Sequence, residues 1–320
     1  MRNDKEKVQV IQLKIIFMGT PDFSVPILEA LIQAGHEVVL AVTQPDKPKG
    51  RGKLLQCSAV KTAALAHQIP VYQPKRIREE ACVAHLKTFE ADLMIVAAFG
   101  QILSEEILTM PKYGCVNVHA SLLPKYRGAS PIQWAVIEGE PVTGVTTMQM
   151  DIGIDTGDIL ETMEVPLAED ETGGSLFEKL SRAGAKLCVQ TVQHIMDGTV
   201  TRTKQDETKA THVGMITKQM GAIDWTRPAA EIERLIRGLN PWPGTYTTLH
   251  GKTLKIWNAS VLEGGDSQKA GQSVCAEKQK LIVQTGKGQL CLLEVQLEGK
   301  KRMQADAFLR GYQVVQGQQL

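Results

Sequence analysis

The 320-residue chain has no run approaching the roughly 20 apolar residues that a bilayer-spanning helix needs, so a helical membrane protein is not expected. Residues 1–12 mix Asp4 and Glu6 with Arg2, Lys5 and Lys7 and lack the apolar centre of a secretory signal. They read as a short disordered lead-in. The six cysteines, Cys57, Cys82, Cys115, Cys188, Cys275 and Cys291, form no C-x-x-C pair, and no histidine stands at zinc-ligand spacing. No bound metal is expected, and the thiols read as free thiols of a cytoplasmic protein. The first apolar run is followed by Gly19-Thr20-Pro21-Asp22-Phe23 where a dinucleotide fold carries G-x-G-x-x-G, which disfavours such a cofactor. There is no internal repeat and no low-complexity tract. A large net charge is also lacking: the total is +1, divided into −3 over residues 1–205 and +4 over residues 206–320. The more basic C-terminal part permits a polyanionic partner without requiring one.

What the chain does have is alternation. Residues 14–18, 37–43, 93–97, 114–119 and 144–150 are apolar strand candidates, and residues 23–34, 60–67 and 78–89 have helical spacing between them. In the segment 23–34, Val25, Leu28 and Ile32 share one face, and Gly35 follows as a stop. Fully apolar strands between helices argue for a mostly parallel sheet covered on both faces, a doubly wound, Rossmann-like α/β domain. Residues 174–197 read as a long helix striped by Leu176, Leu180, Ala183, Leu187 and Thr191. Residues 199–210 are polar and aperiodic and read as a linker, dividing the chain into domains at 13–198 and 211–320. In the second domain a short helix after Pro228, with Ile232, Leu235 and Ile236 on its apolar face, precedes closely spaced strands. Residues 246–249 and 252–257 flank His250-Gly251; residues 280–285 and 289–297 flank Gly286-Lys287-Gly288. This pattern suggests a small OB-like β-barrel.

The most informative stretch lies between. Asn117-Val118-His119 ends a strand and is followed by Ala120-Ser121-Leu122-Leu123-Pro124; Asp151-Ile152-Gly153-Ile154-Asp155-Thr156-Gly157-Asp158 comes later. Residues two apart on a strand point the same way, so a carboxamide and an imidazole share a face at the carboxyl end of a sheet, where such folds bind ligands. A carboxylate arrives from a Gly-rich loop. These groups can donate to an oxyanion and move a proton. The plain alternative is a pair of strand-end polar residues satisfied by loop backbone. The spacing of Asp151 to Asp158 invites comparison with a calcium loop, but Thr156 stands at position six and Thr162 at position twelve, where Gly and Glu are needed. Asp151 and Asp158 read as turn formers. Cys115 shares the face of Asn117, but no nucleophile is needed there. A basic loop, Lys47, Lys49, Arg51 and Lys53 against Asp46, carries Pro45, Pro48, Gly50 and Gly52, which argue against regular structure. It suits phosphate contacts, with a solvated surface loop as the alternative.

The run from Asn117 to Asp155 resembles the family of formyltransferases that use 10-formyltetrahydrofolate, over residues from about 14 to about 311. The resemblance implies that Asn117, His119 and Asp155 are catalytic: Asn117 and His119 as donors to the oxyanion, Asp155 orienting His119 and favouring its charged form. It implies that Ser121, Leu122, Leu123 and Pro124 contact the folate, with the leucines offering an apolar surface to its ring. The basic loop at Lys47–Lys53 and the run Arg237-Gly238-Leu239-Asn240-Pro241-Trp242 are similar to those of family members acting on initiator methionyl-tRNA. That branch implies formyl transfer to the α-amine of the esterified methionine, with no metal, no membrane partner and a monomeric enzyme. Trp242 reads as packing a seam between the domains. Lys300, Lys301 and Arg302 form a basic tip that suits phosphate and solvent equally. Two alternatives stay open: a formyltransferase for a small amine such as glycinamide ribonucleotide or an amino sugar, and a folate- or tRNA-binding protein without turnover.

Overall fold

The computed structural model describes residues 12–49, 54–264, 268–275 and 280–320. The expected lead-in, but for Gln12, lies outside them, as do Arg51 and Lys53. The chain divides into two compact units. The first comprises residues 1–127, 144–165 and 178–211; the second comprises residues 128–143, 166–177 and 212–320.

A seven-stranded sheet organises the first unit. Its spatial order is Ile159–Pro166, Val142–Gln149, Cys115–His119, Leu93–Ala97, Lys14–Gly19, Glu37–Val42 and Val71–Tyr72. The strands from Cys115–His119 to Val71–Tyr72 run parallel, and Cys115–His119 pairs antiparallel with Val142–Gln149. Leu93–Ala97 is buried at every position, as expected of a strand covered on both faces. The chain winds outward from Lys14–Gly19 to Val71–Tyr72, then returns to Leu93–Ala97 on the other side. That reversal opens a crevice at the carboxyl ends of the two central strands. Gly19 closes one of them tightly: a Cβ there would lie 2.7 Å from Ser24 Cβ and 3.0 Å from the Ala97 carbonyl.

Several local expectations shift. The segment at 23–34 becomes a 3-10 turn, Asp22–Ser24, and a helix, Val25–Gln33, whose buried face is Ile27, Leu28 and Leu31. Apolar residues occupy most of its circumference, so periodicity alone does not choose the face. The outermost strand, Ile159–Pro166, escaped the sequence reading. Its alternating exposure marks a half-solvated edge whose glutamates dilute the apolar signal. The basic loop is not irregular throughout: Lys47–Lys49 pairs antiparallel with Leu54–Gln56. Pro48 is tolerated because a two-stranded ribbon leaves outward positions that need no ladder donor.

The expected linker is bound to the first unit along much of its length. Thr203 and Ile159 exchange backbone hydrogen bonds of 2.9 and 2.8 Å, and Glu207–Lys209 forms a 3-10 turn.

In the second unit, the helices Pro131–Glu138 and Ala229–Gly238 pack together, with Arg234 Nε donating to the Ile137 carbonyl at 3.0 Å. A further antiparallel sheet runs in the order Thr245–Leu249, Lys252–Leu262, Gln289–Leu297, Leu281–Gln284 and Ser273–Cys275. Register shifts near Asn258 bend the long strand and curl the sheet into a half-barrel. The two-residue turn at His250-Gly251 has φ values of +49° and +74°, the geometry that matches strand twist in a tight hairpin. Phe308, on the helix Ala305–Gly311 that the sequence reading missed, is fully buried in this core. Trp242, expected in a packed seam, is 53% exposed. It stands between Pro241 and Pro243, ahead of Gly244.

Candidate active site

The strand Cys115–His119 positions the first two candidate side chains. Its flanking valines, Val116 and Val118, are buried in the sheet, which fixes the register and turns Asn117 and His119 to the other face. His119 Nε2 lies 3.0 Å from the Tyr126 carbonyl. A carbonyl only accepts, so Nε2 carries the proton in this contact. The other ring nitrogen, Nδ1, faces Asp155 Oδ1 at 3.6 Å, and Asn117 Nδ2 donates to the same oxygen over a long 3.4 Å. Three of the sequence-predicted residues therefore converge on one carboxylate oxygen. His119 lies behind, with 7% of its side chain exposed, and Asp155 stands nearer solvent at 15%.

The Asp155 loop is shaped from within and from below. Asp151 Oδ1 accepts from the Gly153 amide at 3.0 Å and from Thr156 Oγ1 at 2.7 Å, so Asp151 is the expected turn former. Gly157 presses against the neighbouring strand, and any side chain there would collide with the Gln149 carbonyl. Asp155 itself has φ +54°, in the left-handed region that a residue with a side chain adopts at a cost of about 1–2 kcal/mol.

The 121–124 loop is anchored rather than displayed. Thr146 Oγ1 donates to the Ser121 carbonyl at 2.7 Å and accepts from the Leu123 amide at 3.1 Å; Ser121 Oγ donates to the Lys125 carbonyl at 2.7 Å. Leu123 is buried, and Leu122 is half-buried against the bare backbone of Gly144. This corrects the expectation that both leucines stand exposed: their apolar area is taken up inside the protein, and only Leu122 and Pro124 keep partial exposure.

Cys115 is fully buried, its Sγ donating weakly to the Ile107 carbonyl at 3.6 Å, and burial pushes its thiol up to about 12. It is no nucleophile. Among the described residues, no group of three or more His, Cys, Asp or Glu is placed to hold a metal ion, and no helix is long and apolar enough to cross a membrane.

The basic hairpin is a separate feature. Lys47 is exposed, and Lys49 ends the described part of its strand. Its base is tied down at Asp46, which accepts from Lys61 Nζ at 2.6 Å and from Gln73 Nε2 at 2.7 Å. The Lys61 hydrogen bond, then that of Gln73, hold the Asp46 carboxyl below the usual carboxylate range.

Sequence reading missed Arg127 and Gln205. Arg127 is 1% exposed, and its guanidinium is taken by Gln205 Oε1 and by the Glu207 carboxylate. The contact spans about 80 residues of chain and joins a loop to a segment without periodicity, so no local pattern announces it.

The family model for "Formyl transferase" matches residues 13–192, and that for "Formyl transferase, C-terminal domain" matches residues 215–313. The chain is 62% identical over 305 residues to the methionyl-tRNA formyltransferase of Agathobacter rectalis, covering 95% of this chain and 98% of the relative. It is 49% identical over 308 residues to that of Bacillus licheniformis, covering 96% and 98%. Among solved structures, the sugar 3N-formyl transferase WlaRD aligns with a TM-score of 0.65 at 20% identity, over 91% of this chain and 100% of that one. HypX from Aquifex aeolicus in complex with tetrahydrofolic acid aligns with a TM-score of 0.63 at 15% identity, over 93% and 47%. Those two likenesses carry the fold alone. The near-full-length sequence matches carry more: the chain belongs to the formyltransferase family, in its methionyl-tRNA formyltransferase branch.

Proposed function

We propose that Asn117, His119 and Asp155 transfer the formyl group of 10-formyltetrahydrofolate to the α-amine of methionine esterified to initiator tRNA, the reaction that prepares this tRNA for translation initiation. The amine lone pair forms the new C–N bond while the formyl C=O pair moves onto oxygen. Asn117 Nδ2–H donates to that oxyanion, and His119 Nδ1 joins it as a second donor once it carries the proton taken from the amine. The Tyr126 carbonyl, by holding Nε2, keeps the ring turned that way. The proton shed by the amine passes to the Asp155–His119 couple and on to the folate nitrogen as its bond to the formyl carbon breaks. The products are formylmethionyl-tRNA and tetrahydrofolate. The observation that carries the reading is the meeting of an amide donor, an imidazole and a carboxylate at one oxygen.

Ser121, Leu122, Leu123 and Pro124 border the folate in this reading, with Leu122 and Pro124 offering surface and the other two holding the loop's shape. Lys47, Lys49, Arg51 and Lys53 contact tRNA phosphates, aided by the more basic C-terminal domain at 211–320. The reading includes a monomeric enzyme of the cytoplasm.

The test is formyl transfer from 10-formyltetrahydrofolate to purified methionyl-initiator tRNA, with free methionine and uncharged tRNA as controls. Product with the charged tRNA alone is the expected result. Product with free methionine or an amino sugar at equal efficiency would replace the tRNA reading with a small-amine enzyme.

A further inference from the structure

We propose that Gln205 is a positioning residue that holds the Asp155 loop in reach of His119, itself fixed in orientation by Arg127. The inference rests on the reading of Asp155 as a reactive group. Residues 151–154 of the loop are exposed, so packing does little to hold them. The internal bonds of Asp151 fold the loop's first half. Gln205 Nε2 grips the second half: it donates to the Asp155 carbonyl at 2.8 Å and to the Gly157 carbonyl at 2.7 Å. A non-glycine residue in the left-handed region persists where its surroundings over-determine it, and this clamp grips Asp155 on its own carbonyl.

The Gln205 carboxamide has no freedom to flip. Its Oε1 accepts from Arg127 Nε at 3.0 Å and from Nη2 at 2.8 Å, so the amide hydrogens must face the loop. Arg127 is locked in turn by a bidentate grip on Glu207, with bonds of 2.8 and 2.7 Å. Its main chain is fixed too: the Arg127 amide donates to the Thr211 carbonyl at 2.8 Å, and the Tyr126 amide to Thr211 Oγ1 at 2.8 Å. The Tyr126 carbonyl is the one that receives His119 Nε2. One buried arginine therefore ties both members of the pair. Its neighbour's carbonyl orients His119, and its guanidinium, through Gln205, holds Asp155.

The decisive variant is Gln205→Glu. It keeps the acceptor oxygen that takes both Arg127 bonds but loses both N–H donors to the loop. The expected result is a kcat reduced roughly 10- to 100-fold, the scale of a small misplacement of a reacting group, with KM for folate and for methionyl-tRNA little changed. The deficit relative to wild type should shrink as pH falls, because protonation returns one O–H donor to the introduced carboxyl. Gln205→Met removes donors and acceptor together; it should show the same kcat loss without that pH dependence, and a lower Tm. Asp155→Asn is measured in parallel. If Asp155→Asn retains near-normal kcat, the reading beneath the proposal fails. If Asp155→Asn is inactive while Gln205→Glu keeps wild-type kcat, the positioning role alone is overturned. A pH-independent deficit in Gln205→Glu that tracks a fall in Tm also overturns it, since Gln205 would then serve only the fold. Should Gln205→Glu fail to fold, Gln205→Met decides: a reduced kcat at unchanged KM supports the proposal, and wild-type kcat overturns it.

Discussion

The cluster proposed to be catalytic and the basic hairpin are built on opposite plans. Around Asn117, His119 and Asp155, groups outside the strand and loop do the holding: the Tyr126 carbonyl, seven residues on, takes His119, and Gln205, 50 residues on, takes the Asp155 carbonyl and is itself oriented by Arg127 and, through it, Glu207. The hairpin from Lys47 to Gln56 is a short two-stranded ribbon fastened at its foot through Asp46, with Lys47 in solvent. The difference follows from the work proposed for each. An oxyanion donor is useful only within a narrow range of geometry, so the fold over-determines it. A cation that meets a phosphate backbone needs charge and reach, and loses little by moving.

The largest effect should come from the over-determined region. Asp155→Ala removes the oxygen on which the other two side chains converge. A kcat loss of about 10²–10⁴-fold is expected, with folate affinity nearly unchanged. Single-turnover formylation against folate binding measures both; a near-normal rate would break the comparison at its stronger end. By contrast, neutralising Lys47, Lys49 and Arg51 together should leave kcat at saturating tRNA close to wild type and weaken tRNA binding. The slope of log affinity against log salt should flatten by about 0.7–0.9 for each phosphate that is no longer neutralised. Equal affinity at every salt concentration would remove the hairpin from tRNA recognition.

The same contrast explains what was legible in the sequence. Strand alternation put Asn117 and His119 on one face, and the resemblance to formyltransferases singled them out together with Asp155; the structure brings those three residues together. The sheet was legible from a local pattern: residues 93–97 are apolar without interruption and form a fully buried strand. What failed was whatever depends on partners far along the chain. Leu123 reads as an exposed apolar contact until Thr146 is seen to pin its amide and fold it inward. Residues 199–210 read as a linker because Gln205 and Glu207 are polar and aperiodic, although their side chains complete a buried arginine's hydrogen bonding. The grouping of the helix Pro131–Glu138 with Ala229–Gly238 rests on Gly238 leaving room for Ile137, which no periodicity encodes.

A smaller effect tests the hairpin's foot. Asp46→Asn weakens the bonds to Lys61 and Gln73 and should raise the Kd for tRNA by roughly two- to fivefold, as expected of a solvent-screened pair. The sign with pH follows from the lowered carboxyl: the anchor is present above the ordinary carboxylate range and disappears only as pH falls through the depressed value. Wild-type tRNA affinity, corrected for tRNA's own titration, should therefore show no loss of this anchor between about pH 5 and 8. A drop within that window, absent in Asp46→Asn, would mean the carboxyl is not held down as the geometry requires.

Each region also carries its own cysteine, which sharpens the comparison without altering activity. Cys57, at the hairpin's foot, is exposed; Cys115, two residues before Asn117, is buried. Iodoacetamide at pH 8 should modify Cys57 in the native protein and reach Cys115 only as fast as the sheet opens, with mass mapping of the labelled peptides as the readout. The alkaline limb of stability carries the same information. Burial pushes the Cys115 and Cys188 thiols up to about 12 from an ordinary 9.0. Above pH 9 the unfolded chain sheds these protons while the folded chain keeps them, so the unfolded state binds fewer protons and stability must fall as pH rises. Each thiol contributes a slope approaching about 1.4 kcal/mol per pH unit. Replacing Cys115 with alanine should remove one such increment from the slope of urea-unfolding free energy between pH 9 and 11. An unchanged slope would mean that the strand bearing Asn117 and His119 admits hydroxide, and that the cluster is less enclosed than the hairpin comparison holds it to be.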